Sequence, residues 1–450
     1  AAQPRGVPRQ STASARDQVA AWFHAALAEL EPGALLAERL RGAPRLDGFA
    51  AIEVMALGKA AVPMLQSWTA AAAQRGAPAE RVRLWLAAPR GVPRQLKQTR
   101  AAGFGPYRLR AFAAGHPEPN HASLQAGAAM LAAARELASG AAPGLLVALV
   151  SGGGSALAEA PLAGELEGGP GNPLHQLRRL NRLLIASGAP IGDINLIRKH
   201  RSAFKAGKLA AAGAGTGVEQ ESWILSDVAG EDLSAVASGP TLPDASSNAE
   251  YEDACRRWLP QEPVLAAPET PKPGAAAFAR SRWQALASNR DLCAALAACA
   301  RRAGCAPVVV DDAADEWEAG AAANYLAERW RRLRAAHVRP CLIAGGEVRV
   351  RLPEAHGRGG RNQWLALALA LALEGEEFTF FSAGSDGVDG SSDAAGACVD
   401  GGTAARARAA GLDPVEHLRR CDPHRLLAAT GDLVRTGPTG NNLRDVRVLL

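Results

Sequence analysis

Apolar stretches alternate with glycine-rich polar turns along most of the chain, and the spacing inside each stretch separates strands from helices. Residues 145–150 are all Leu, Val or Ala and read as a strand buried on both faces of a parallel sheet, which then breaks into Ser151, Gly152, Gly153, Gly154 and Ser155. Shorter runs at 52–57, 81–88 and 221–226 also read as strands; the first leads into Gly58 and Lys59, the last into Asp227. Helical spacing covers 17–40, interrupted at Pro32 and Gly33, and predicts a cover for one face of the sheet. Further helices are predicted from Ala122, over 175–187, and over 192–213, the last strongly basic. Between 246 and 273 proline and polar residues rise and periodicity fades, which predicts a domain boundary, with one domain at 15–250 and another at 276–450. The second part predicts helices at 291–303, 320–336 and 364–373 and strands at 306–311, 348–352, 377–383 and 446–450. Strands alternating with helices define the α/β class, with a mostly parallel sheet in the first domain.

Composition narrows the picture. At 450 residues the chain is too long for one ordinary core, which agrees with two domains. A formal charge of +5 from scattered basic residues, with only 5% aromatic residues, suits a small anionic substrate and argues against nucleic acid as a partner. No apolar run is long enough for a membrane span. The seven cysteines form no C-x-x-C pair and read as free thiols in a reducing cytoplasm. Residues 1–16 lack acidic side chains and an apolar run, and read as a frayed tail. A second copy of the chain, as a homodimer, is kept as a candidate partner.

Candidate chemistry sits in the turns. Three consecutive glycines let backbone N–H groups approach a ligand, so 151–155 read as an anion cradle at the carboxyl end of a strand. Lys59 stands where it can meet the same anion, and His116 lies in a proline-bounded loop. Arg198, with Lys199, His200, Arg201, Lys205 and Lys208, reads as either a solvated face or an electropositive wall. The small-residue loop through Gly239 is a second cradle. Gly345, Gly346 and Glu347 follow another strand, and Arg361 with Asn362 stands glycine-bounded at a predicted helix start. Asp386, Asp389 and Asp393 could gather Mg²⁺ or supply a base, and Thr439 and Asn441 lie in a polar nest before the last strand. Such parts suit phosphoryl transfer. Hydride transfer would need a dinucleotide fingerprint, and the pattern fails because Leu157 stands where the third glycine belongs.

The stretches ALGKAA, AGHPEPN, VSGGGSALAEAP, INLIRKHRSAFKAGKLA, LSDVAGEDLSAVASGPTLPD, AGGEVRVRL, GRGGRNQ, SAGSDGVDGSSDAAGACVD and TGPTGNN span roughly residues 52–445. Through them the sequence resembles the glycerate 2-kinases with a C-terminal MOFRL domain, a family whose members are often labelled hydroxypyruvate reductase. The resemblance implies a Rossmann-like N-terminal domain, a smaller C-terminal α/β domain, and a cleft between them where ATP with Mg²⁺ phosphorylates the 2-hydroxyl of D-glycerate. It makes Lys59 and Arg361 the essential cations, with the SGGGS, SDV and SDGVDG loops lining the cleft. Asp227 and Asp386 are the candidates for base and metal ligand, with Asp389 as a further metal ligand. Asn120, Trp364 and Glu231 depart from the family's usual Asp, Glu and Asp. An NAD(P)H-dependent hydroxypyruvate reductase is the alternative, and a non-catalytic ligand sensor a third reading.

Overall fold

The computed structural model describes residues 12–92, 103–162, 172–228, 230 and 232–450. The chain divides into two compact units, one spanning Pro32–Leu286, the other joining the helix Thr12–Glu29 to everything from Ala287 onward. The sequence boundary near 246–273 instead contains the helix Asn248–Trp258, capped by Ser247 and Glu250; the division falls after it.

The first unit is built on strands β1 (Ala51–Leu57), β2 (Val82–Pro89), β3 (Arg108–Ala114), β4 (Gly144–Ser151), β5 (Val218–Leu225) and β6 (Ser281–Ala287), in the order β3-β2-β1-β4-β5-β6. Pairs β1/β2, β1/β4, β2/β3 and β4/β5 are parallel. Every residue of β4 is buried, as its unbroken apolar run demands. This is the Rossmann strand order, whose direction of winding reverses between β1 and β4.

The second unit holds β7 (Val308–Val310), β8 (Cys341–Gly345), β9 (Thr379–Gly384), β10 (Gly396–Asp400), β11 (Leu433–Val434) and β12 (Asp445–Leu449), ordered β11-β10-β9-β12-β8-β7. Only β7/β8 is parallel among its pairs; the others run antiparallel. All of β8, β9, β10 and β12 is buried.

Three expectations are corrected. The helical spacing at 17–40 is two helices, Thr12–Glu29 and Pro32–Leu40, and the first covers the second unit's sheet rather than the parallel one. Phe23 packs on Phe381 of β9 at 5.1 Å, Asn441 Nδ2 donates to the Leu30 carbonyl at 2.8 Å, and Arg16, read as tail, pairs with Asp400 and Asp432 at 2.8 and 2.5 Å. The basic helix at 192–213 is broken into Ile191–His200 and Lys208–Ala212, because Ala206 and Gly207 take left-handed conformations (φ 55° and 76°) between them. A Cβ on Gly207 would strike Phe278 and the Leu242 carbonyl. Lastly, 348–352 is no strand; its one ladder-type pairing among the described residues is the isolated Glu318/Arg349 bridge. The seven cysteines are free and buried, and no helix among the described residues is long and apolar enough to cross a membrane.

Candidate active site

Parallel strands end at a common edge, and the first unit carries its polar turns there. Lys59 follows β1, His116 follows β3, the SGGGS turn follows β4, and Asp227 follows β5. The β1 and β4 ends meet at the switch point: Leu57 pairs with Val150, the Lys59 N–H donates to the Gly152 carbonyl at 3.0 Å, and the Ala60 N–H donates to Ser151 Oγ at 3.0 Å. Gly58 (φ 119°) is glycine because a Cβ there would fall on Ser151. Gly153 takes a left-handed conformation (φ 82°), and a Cβ on it would lie 3.1 Å from the His116 ring and 3.5 Å from Lys59 Cγ. Lysine, imidazole and glycine turn are therefore immediate neighbours.

Ser155 Oγ shares a 2.6 Å hydrogen bond with Ser238 Oγ, joining the first cradle to the second small-residue loop. In that second loop Gly239 is built into the fold. Its carbonyl accepts from the Gly207 N–H at 2.7 Å, and its left-handed backbone packs on Ser234. Just past the turn in sequence, both oxygens of buried Glu159 are held, one by the Ser202 hydroxyl at 2.5 Å and the Ala160 N–H at 2.9 Å, the other by Lys205.

The basic residues at 198–208 are drawn into internal contacts. Arg198 donates to Asn181 at 2.8 Å and burial lowers its pKa; Lys199 pairs with Asp244 at 3.0 Å; His200 bonds Asn248 and Ser246. Lys208 donates to the carbonyls of Lys199 and Ser202 at 3.0 and 2.6 Å, and burial lowers its pKa to about 8. These cations hold the segment together from within.

In the second unit the polar edge gathers around Arg361, the first residue of the helix Arg361–Ala372. Its Nε donates to Asp445 at 2.5 Å, and its terminal nitrogen reaches Asp445 at 3.2 Å and Glu347 at 2.7 Å. Burial opposes the Arg361 charge, but Asp445 and Glu347 outweigh it and raise its pKa; in return Arg361 holds buried Asp445 below the ordinary carboxylate range. A Cβ on Gly384 would sit 3.2 Å from Asp386 Oδ1 and 3.3 Å from Asp445 Oδ1, so these two carboxylates flank the end of β9.

The neighbouring turns are scaffold. Buried Arg447 donates to the carbonyls of Gly345 and Gly346 at 3.0 Å each, and the Gly346 N–H donates to Asn289 at 2.9 Å. Thr439 donates its hydroxyl to the Ser385 carbonyl at 2.5 Å and its N–H to the Asp386 carbonyl at 3.2 Å. Asn441 is committed to Leu30, and Asn362 donates to Asp389 and accepts from the Ser382 hydroxyl at 2.6 Å. Asp389 itself is 2% exposed and accepts four N–H donors. Burial, with the charge of Asp445, pushes its pKa up to about 6 despite those donors. Sequence reasoning missed Asp445. The signal was available, since an acid flanked by Arg444 and Arg447 at the head of an apolar strand needs a buried partner.

A doubly wound sheet with glycine turns at its switch point defines an α/β protein of the Rossmann type. A family model described as a domain of unknown function (DUF4147) matches residues 18–266, and the MOFRL family model matches residues 340–445. A protein of Agrobacterium vitis named putative hydroxypyruvate reductase is 37% identical over 355 residues, 76% of this chain and 77% of that protein. A D-glycerate 2-kinase of Thermotoga maritima is 34% identical over 345 residues, 74% of this chain and 78% of that protein. The crystal structure of a glycerate kinase from Thermotoga maritima superposes with a TM-score of 0.77 at 27% identity, covering 97% of this chain and 99% of that one. The chain belongs to the glycerate 2-kinase family with a C-terminal MOFRL domain.

Proposed function

We propose that this chain is a glycerate 2-kinase that transfers the γ-phosphoryl of ATP to the 2-hydroxyl of D-glycerate, giving 2-phosphoglycerate and ADP. The observation that carries the reading is the switch-point edge of the parallel sheet, where Lys59 and His116 adjoin the left-handed Gly153. The first N–H groups of a helical turn lack intrahelical acceptors, so the turn opening at Gly154 offers donors to phosphate oxygens beside the Lys59 ammonium. Asp227, on the same edge, is the base for the acceptor hydroxyl. Arg361, oriented by Asp445 and Glu347, is the cation that the second unit offers to phosphate.

The residues present fit Mg²⁺. No three His, Cys, Asp or Glu side chains gather as a cage among the described residues, but Mg²⁺ bound with a nucleotide asks for only one or two carboxylates, phosphates and water supplying the rest. Asp386 is half-buried beside Asp445 and is the residue to hold it. When bound, the ion neutralises phosphate charge. Asp389 is left out of this set because its oxygens are already committed. Free buried cysteines support a reducing cytoplasm as the compartment.

The test supplies the protein with D-glycerate and MgATP in one tube and hydroxypyruvate with NADH in another. 2-Phosphoglycerate and ADP are expected in the first only, with phosphorus NMR separating the 2- from the 3-phosphate. Oxidation of NADH without phosphorylated product would establish the reductase instead, and silence in both tubes would favour a sensor.

A further inference from the structure

Two glycine motifs of the second unit, GRGGRNQ and SDGVDG, turn out to be halves of one device. The helix that starts with Arg361 has Gly360 at its N-cap, which has no side chain to satisfy the first N–H groups. Asp389 supplies the missing cap from another loop. One oxygen accepts from the Asn362 N–H at 3.1 Å and its side-chain amide at 3.3 Å, the other from the Gln363 N–H at 2.9 Å and its side-chain amide at 3.0 Å. Those amides are themselves oriented, Asn362 by the Ser382 hydroxyl and Gln363 by His424 at 3.0 Å. The glycines make room: a Cβ on Gly360 would run into Asp389, and one on Gly390 into the Gly359 carbonyl. Four donors on two oxygens fill the lone pairs a metal ion would need.

We propose that Asp389 is a positioning residue for Arg361, locking the first helical turn so that the guanidinium projects at a set angle toward Asp445 and Glu347. This rests on the phosphoryl-transfer reading only for what Arg361 does, not for how it is held. Asp389→Asn keeps the shape but turns one acceptor into a donor facing other donors, which loosens the turn.

The test reads kcat, the Mg²⁺ concentration for half-maximal rate, and solvent exchange of the Arg361 Nε–H by arginine-labelled NMR. In Asp389→Asn, kcat should fall about ten- to a hundred-fold, the Mg²⁺ requirement should stay within about twofold, and exchange of the Arg361 Nε–H should quicken. Placed on an Arg361→Ala background, the same change should cost less than about twofold more, because it acts through a group already gone. Gly360→Ala, which crowds the carboxylate without removing it, should reproduce the pattern and carries the test if Asp389→Asn does not fold. A tenfold rise in the Mg²⁺ requirement would make Asp389 a metal ligand. Multiplying losses in the double variant, or an unchanged Nε–H, would overturn the positioning role. The exchange measurement needs no turnover, so a wild-type chain that fails to phosphorylate glycerate would sink the kinase reading alone.

Discussion

The two sheets each present a polar edge, and the edges are of opposite character. In the parallel sheet a lysine and an imidazole stand beside a left-handed glycine, and a buried ion pair joins Glu159, just past that turn, to Lys205. In the mixed sheet the cation is an arginine gripped by Asp445 and Glu347, with Asp386 adjacent. Glycine lets the first edge bring backbone donors and a compact ammonium up to an anion. Acids let the second fix the planar fork of an arginine in one orientation, as bidentate recognition requires.

The contrast can be broken at its foundations. Lys205→Met leaves buried Glu159 without its ion-pair partner, and removal of one partner of a buried pair costs about 3–5 kcal/mol. A melting point lower by roughly 10 °C in calorimetry is expected, while the exposed pair Arg408/Glu374 should lose less than about 1 kcal/mol on Arg408→Met. Equal losses would mean that burial gives the pair no special weight.

Next in size, Lys59→Ala should lower kcat about a hundred- to a thousand-fold with the melting transition still cooperative. Near-normal turnover would take Lys59 out of the site. Asp386→Asn should instead act on the metal, raising the Mg²⁺ needed for half-maximal rate about tenfold; an unchanged requirement would move metal binding to Asp227.

The smallest effect concerns pH. Burial lowers the Lys208 pKa from its ordinary 10.5 to about 8, so above pH 8 the folded chain has shed a proton that the unfolded chain keeps until about 10.5. Stability from this group therefore rises between those values. Urea titrations of wild type minus Lys208→Met should show that slope; a flat difference would mean Lys208 stays hydrated.

The parallel sheet was the most legible part of the chain, because strands buried on both faces read as unbroken apolar runs. β3 (Arg108–Ala114) escaped since most of its residues are exposed at the sheet's edge and form no apolar run, and β10 (Gly396–Asp400) since it follows an aspartate-rich turn. The break at Ala206 and Gly207 is set by distant contacts with Phe278 and Leu242, which no local spacing reveals. In the candidate site, strand-end turns were readable as places. Their roles were not, because Asp389 and Asn441 look like loop residues until the helix ends they satisfy are known. The basic cluster misled for the same reason: the sequence displays its charges and hides their partners.

The helix Thr12–Glu29 has one more implication. It leaves the ribosome long before β9, the strand its Phe23 rests on, has been translated. The parallel-sheet unit can finish in that interval, since domains generally fold as they emerge, whereas the other must await β12 and recover a segment made before the parallel sheet. A fragment cut at the 340–445 family boundary would lack that segment and uncover the face of Phe381.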